Sequence, residues 1–256
     1  MFHVLFMSHA YLARGGSLVP AGTHVVFPVK LQDLSVVLTG ATSSVGAALA
    51  RALIAGGARV LLVARSAAPL AELARELTRD DDHRHRVDAL ASDVTNPGAL
   101  LGIRDAAVAR GANVLINTAY ADDGEALQAL DAAHIDAILQ NNLVAPVQLT
   151  RALLPHLLRQ PSARVLNLGL PLGLSAHAGG AVHRASQLGL RGFCDALRRE
   201  LAGTRVRVQF LATRTSDANA PANAAQAALR LLVSGTGEPR FGMSGELFAR
   251  LAQRLR

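Results

Sequence analysis

From Leu34 onward, six short β-branched runs alternate with longer stretches of helical periodicity. That alternation is the sequence form of repeated βαβ units, and it commits the chain to a parallel sheet. Strands are expected at Val36–Thr39, Arg59–Ala64, Val87–Ala91, Asn113–Asn117, Ala163–Leu168 and Arg205–Leu211, each following a turn or a helix end. Between the first two, Val45, Ala48, Leu49, Ala52 and Leu53 recur on one helix face, and Gly56-Gly57 supplies a left-handed stop. A long helix from about His134 to Leu158 contains Pro146 and should bend. Leu190, Phe193, Cys194, Leu197 and Leu201 form an apolar stripe on another, with Arg191, Arg198, Arg199 and Glu200 largely on its other faces. The fold class expected is α/β, a Rossmann-like doubly wound parallel sheet of six or seven strands with helices on both faces. With no repeat or interdomain linker, residues 31–256 read as a single domain behind an N-terminal extension, residues 1–30.

Composition narrows the chemistry. Half of the 256 residues are hydrophobic, enough for a substantial core, and only 18% are charged despite a net +7. Cys194 is the only cysteine, so no internal disulfide exists, as in a reduced cytoplasmic chain. The uncharged run Val165 to His183 is broken by Gly169, Pro171, Gly173, Gly179 and Gly180 and does not read as a membrane span. Met1 to Ala13 is apolar but has neither a preceding basic residue nor a clear cleavage pattern, and reads as a tail or a misplaced start rather than a signal peptide. Lys30 is the only lysine, and Tyr11 and Tyr120 are the only tyrosines.

The first strand runs through Thr39-Gly40-Ala41-Thr42-Ser43-Ser44-Val45-Gly46 directly into a helix. Glycines there let a backbone approach a pyrophosphate, and the N–H groups at a helix start favour anionic oxygens. A serine at a helix start is also a good cap, so an ordinary strand-to-helix turn is the competing reading. This segment resembles the T-G-x-x-x-G-x-G motif of the short-chain dehydrogenase/reductase family, with Ser44 in place of the middle glycine. The resemblance extends over nearly the whole domain. Asp93-Val94 is similar to the family's adenine-contacting pair, and Asn117-Thr118-Ala119-Tyr120 resembles its N-N-A-G segment at two of four positions. Asn142-Leu143 resembles the segment carrying its catalytic Asn, and Leu188 to Leu201 its dimer-forming helix.

The resemblance implies that Gly40, Thr42, Ser43, Ser44, Val45, Gly46, Arg65, Asp93, Val94, Asn117 and Ala119 bind a nicotinamide nucleotide. Arg65 ends the second strand, where an acidic residue would hold a ribose 2′-OH and a guanidinium can pair with a 2′-phosphate, favouring NADP over NAD. A solvated arginine is the alternative. The long helices imply a homodimer or homotetramer.

The family carries its chemistry on a Ser at the exit of the fifth strand and a Y-x-x-x-K pair on the next helix. Aligning Leu166-Asn167-Leu168 and Ala185-Ser186 from the two sides puts Leu170, His183 and Gln187 at those positions. Neither tyrosine has a lysine four residues on, so no shift of register restores the motif. Asn142 alone keeps its type. Three readings follow. The first is a nucleotide-binding protein of oxidoreductase lineage without efficient hydride transfer, serving as a non-catalytic subunit or sensor. The second is an active NADP-dependent carbonyl reductase using His183, since imidazole titrates near neutrality without help from a cation; Leu170 argues against it by removing a donor to the substrate oxygen. The third is an arginine-rich polyanion-binding module. Tyr120 is a remote candidate acid, and Leu211-Ala212-Thr213-Arg214-Thr215 replaces the family's P-G loop.

Other features read blandly. His83-Arg84-His85-Arg86 after three aspartates is expected to be surface loop, because flanking arginines repel a metal cation. Arg250, Arg254 and Arg256 are expected to face solvent, with aromatics at 4% too sparse for base stacking. Neither nucleic acid nor a membrane is an expected partner. Cys194 is expected to pack as a small apolar group.

Overall fold

The computed structural model of the chain describes residues 29–118, 125–169, 180–213 and 219–234. A short 3₁₀ turn, Leu31–Asp33, leads into β1 (Ser35–Thr39), α1 (Ser44–Ala55), β2 (Arg59–Ala64), α2 (Ala67–Leu77), β3 (Val87–Ala91) and α3 (Pro97–Ala109). The second half runs through β4 (Val114–Asn117), α4 (Ala132–Leu139), α5 (Ala145–Leu157), β5 (Ala163–Gly169), α6 (Ala181–Glu200), β6 (Val206–Ala212) and α7 (Ala220–Ser234). Every expected strand is present with ends within one residue of expectation. All six pair in parallel in the order β3-β2-β1-β4-β5-β6, which reverses direction of growth between β1 and β4. In such sheets the crevice outside the carboxyl ends of those two strands is where ligands bind.

Period-two alternation distributes the core to both faces. Val36, Leu38, Leu62, Ile116, Leu166 and Leu168 pack under α1, α2 and α7, through Leu49, Leu53, Leu70, Leu73, Ala228 and Leu232. Val37, Leu61, Val63, Leu115, Val165 and Val208 pack under α3, α5 and α6, through Ile103, Leu149, Leu153, Leu190, Cys194 and Leu197. Cys194 is fully buried. The stripe expected on α6 is the buried one, although Phe193 is only partly buried.

The expected helix from His134 to Leu158 is not continuous. α4 and α5 are separated by a π-helical turn over Gln140–Val144. Pro146, at the start of α5, has no N–H to give to the carbonyl of Asn142, so the ordinary i→i−4 ladder cannot close there. The interruption thus lies just ahead of the proline, and π turns of this kind are frequent at functional sites. The His83–Arg86 segment lies at the surface between α2 and β3, within a 3₁₀ turn, Asp81–Arg86, capped by the Asp80 side chain on the Asp82 N–H. The Asp80 cap and the Asp81–Arg84 ion pair at 2.9 Å favour that local closure.

α6 is tied down by charge. Asp195 accepts from Arg198 Nη1 at 2.8 Å and from Arg191 Nε at 3.2 Å. Arg198 Nε also reaches the Val208 carbonyl of β6 at 3.0 Å, and Arg191 stacks over the Phe210 ring at 5.3 Å. Burial pushes the Asp195 carboxyl up, but the hydrogen bonds from Arg198 and Arg191 outweigh it and hold the group below the usual carboxylate range.

Two outcomes are expected. A Cβ on Gly46 would fall on the Gly40 carbonyl oxygen and crowd the Ala41 Cα, both of them backbone, so Gly46→Ala should lower stability by about 1–3 kcal/mol in urea denaturation. An unchanged midpoint would mean the loop yields freely. Asp195→Asn should cost less than about 1 kcal/mol at neutral pH, because the pair is partly solvent-screened. Since the folded carboxyl titrates below its unfolded value, that contribution is complete above the unfolded value and disappears as pH falls through the folded one. The difference between wild type and variant in thermal denaturation should therefore shrink in acid; a gap that widens would contradict the assignment.

Candidate active site

The segment after β1 turns sharply. Gly40 has φ +65°, a left-handed conformation that favours glycine. Ser43 rather than Ser44 is the helix cap, its Oγ accepting from the Gly46 N–H at 3.0 Å. Ser44 is exposed as the first residue of α1, and Val45 follows it, buried. Their N–H groups lie in the first helical turn, which has no intrahelical acceptors, and can be offered to an anion. Gly46 brings α1 against the loop.

Gly40, Thr42 and Ser43 form one wall of a cavity of about 230 Å³, with Val63, Ala64, Arg65, Ser66, Ser92, Val94 and Asn141 around the rest. The cavity therefore runs from the phosphate-type loop across the ends of β2 and β3. Arg65 is at its rim and exposed, with Ser66 beside it. Val94 is buried in the wall, whereas the Asp93 carboxylate is turned back on its own chain, accepting from the Thr95 N–H at 2.9 Å and the Thr95 hydroxyl at 2.8 Å. Ser66, Ser92 and Asn141 were not anticipated. Short polar residues within two positions of the ends of β2 and β3 are the signal that could have found the two serines, but such residues end most strands.

The floor at the carboxyl ends of β1, β4 and β5 is a line of hydrogen bonds. Thr39 Oγ1 donates to Asn117 Oδ1 at 3.3 Å, Asn117 Nδ2 to Asn167 Oδ1 at 2.8 Å, and Asn167 Nδ2 to Cys194 Sγ at 3.1 Å. Thr118 Oγ1 donates to the Thr39 carbonyl at 2.6 Å. Asn117 thus serves the sheet rather than opening on the crevice, being only 3% exposed.

On the far side of this floor, Asn142, His183 and Gln187 are brought close and are all buried. The π turn directs Asn141 toward the cavity and Asn142 toward α6, where Asn142 Nδ2 is 3.3 Å from His183 Nδ1 and 3.1 Å from Ser186 Oγ. His183 and Gln187 are one helical turn apart on the same face of α6. The Gln187 Oε1 and the Phe210 ring both lie where a Cβ on Gly169, at the end of β5, would fall. Asn142 could hold an imidazole in orientation, and Gln187 can offer only a neutral amide where a cation would be needed to assist a phenol. The Ser186 hydroxyl joins this cluster, a member that the motif positions do not single out. Ala119, Tyr120, Leu170, Arg214, Thr215 and the arginines at 250, 254 and 256 lie outside the described residues, as do residues 1–28.

The short chain dehydrogenase family model matches residues 35–228. The chain is 33% identical over 183 residues to the ketoacyl reductase HetN of Nostoc sp., covering 71% of this chain and 63% of that protein. It is 31% identical over 186 residues to nodulation protein G of Rhizobium sp. (strain N33), covering 72% of this chain and 73% of that one. Its fold is similar to that of a metagenomic short-chain oxidoreductase solved in complex with NADP, with a TM-score of 0.72 and 30% identity over 80% of this chain and 93% of that one. Sheet order, glycine-bearing turn and sequence similarity agree, and the chain belongs to the short-chain dehydrogenase family.

Proposed function

We propose that this chain, folded as one domain over residues 31–256, binds a nicotinamide nucleotide, NADP in preference to NAD, and lacks efficient proton delivery for hydride transfer. The observation that carries the reading is the cavity between the glycine-bearing turn and Arg65, set beside a buried Asn142–His183–Gln187 cluster that holds no tyrosine or lysine among the described residues. The fit of the cavity supports the nucleotide. Gly40 and Gly46 keep the turn tight, and the Ser44 and Val45 N–H groups would hold the pyrophosphate with Thr42 and Ser43. Arg65 and Ser66 would take the 2′-phosphate, and Asp93 and Val94 would border the adenine side.

When bound, the nicotinamide supplies or accepts a hydride. What this chain must add is a group that holds the substrate oxygen and moves its proton. In the family resemblance that work falls to a phenol assisted by an ammonium; here the phenol's position holds His183 and the ammonium's holds Gln187, whose neutral amide cannot stabilise a developing anion by charge. A second reading, an active carbonyl reductase with His183 as acid/base, is favoured by the contact of His183 with Asn142, which orients the ring. A homodimer or homotetramer through the long helices remains our expectation, supported by Leu188, which is 55% exposed on α6. No described helix is long and apolar enough to cross a membrane, and we assign the chain to the cytoplasm on the strength of its lone cysteine.

Titration of nucleotide fluorescence tests the binding. NADPH should bind more tightly than NADH, and Arg65→Glu should weaken NADPH on the order of 10- to 100-fold while leaving NADH nearly unchanged, the loss expected for a charge-assisted hydrogen-bond pair. No fluorescence change at high protein concentration would refute nucleotide binding. Turnover with a panel of aldehydes and ketones then separates the two readings: a rate indistinguishable from buffer supports the first, whereas turnover abolished by His183→Ala establishes the second.

A further inference from the structure

We infer that Ser186 is a positioning residue that, through Asn142, fixes His183 as the tautomer with its proton on Nε2. The argument begins with a single hydroxyl proton. Ser186 Oγ lies 2.6 Å from the His183 carbonyl, a short contact that only a donated O–H can explain, because both oxygens are otherwise acceptors. Its proton is thereby committed. Toward Asn142, 3.1 Å away, Ser186 Oγ can act only as acceptor. The Asn142 carboxamide must therefore present its NH₂, not its oxygen, to this side. This conclusion rests on hydrogen-bond bookkeeping and holds independently of how the amide is drawn.

The same NH₂ is 3.3 Å from His183 Nδ1. A nitrogen facing a donor must supply a lone pair, so Nδ1 is the unprotonated nitrogen of the neutral ring and Nε2 carries the hydrogen. All three side chains are nearly inaccessible, with Asn142 at 1%, His183 at 3% and Ser186 at 0% exposure.

The consequence concerns the proposed function and rests on that reading of the site. A neutral imidazole with Nε2–H can donate a hydrogen bond to a carbonyl oxygen and polarise it. It cannot accept the hydroxyl proton of an alcohol at that nitrogen, and surrendering Nε2–H would leave an imidazolate. His183 is thus a hydrogen-bond donor in this chain rather than the proton carrier that replaces tyrosine.

Long-range ¹H–¹⁵N correlation spectra of the full chain labelled at histidine test this directly, with His183 assigned by its loss in His183→Gln. At neutral pH the wild type should show Nδ1 unprotonated and Nε2 protonated; the opposite pattern overturns the inference. Asn142→Asp, whose carboxylate can only accept, should move the proton to Nδ1. Ser186→Ala frees the Asn142 amide to turn and should replace the single tautomer by a mixture of the two, whereas an unaltered spectrum in a variant of wild-type thermal stability would remove Ser186 from the argument. The spectra need no nucleotide, so they stand or fall apart from the NADPH titration.

Discussion

The hydrogen-bonded line from Thr39 through Asn117 and Asn167 to Cys194 is the constraint from which the site follows. Thr39, Asn117 and Asn167 are mutual register partners on β1, β4 and β5. Buried polar groups cost heavily when unsatisfied, so a slip of either pairing by one residue would orphan an amide as well as turn every core side chain to the wrong face. The polar line therefore locks the register where the sheet changes its direction of growth. Ending on α6 at Cys194, it also sets the height of that helix over the sheet.

Everything chemically interesting is referenced to this floor. α1 leaves β1 immediately beyond Thr39, by a turn that only Gly40 and Gly46 permit at this closeness. The π turn and α6 approach from the other face and meet through Asn142, Ser186 and His183. Pro146 provides the cause on the first side, because its missing N–H opens the ladder at the carbonyl of Asn142. The widened turn splits two adjacent asparagines between two duties, Asn141 in the cavity and Asn142 on the imidazole.

Much of the architecture could be read in advance. Strands such as Arg59–Ala64 and Val87–Ala91 were legible to the residue because each is bounded by residues that stop a helix or start a turn. The glycine-bearing turn was legible for the same local reason. The boundary within His134–Leu158 was not, since proline marks where a helix is disturbed but not how the preceding backbone groups rearrange. The partners of Asn117 were not legible for another reason: a residue at the end of a central strand can face the crevice or a neighbouring strand, and only the register decides.

The sequence by itself determined the sheet, its order of elements, the tight turn after β1 and the residue types available for chemistry, because each depends on local conformational preference or on composition. Only the tertiary structure decided which polar groups meet. Asn142 and Ser186 are separated by 44 residues, and nothing local to either states that one hydroxyl proton, committed to a backbone carbonyl, orients an amide and through it an imidazole. Hydrogen bonds are directional and single-valued at each proton, and that property becomes informative only once the atoms are in place.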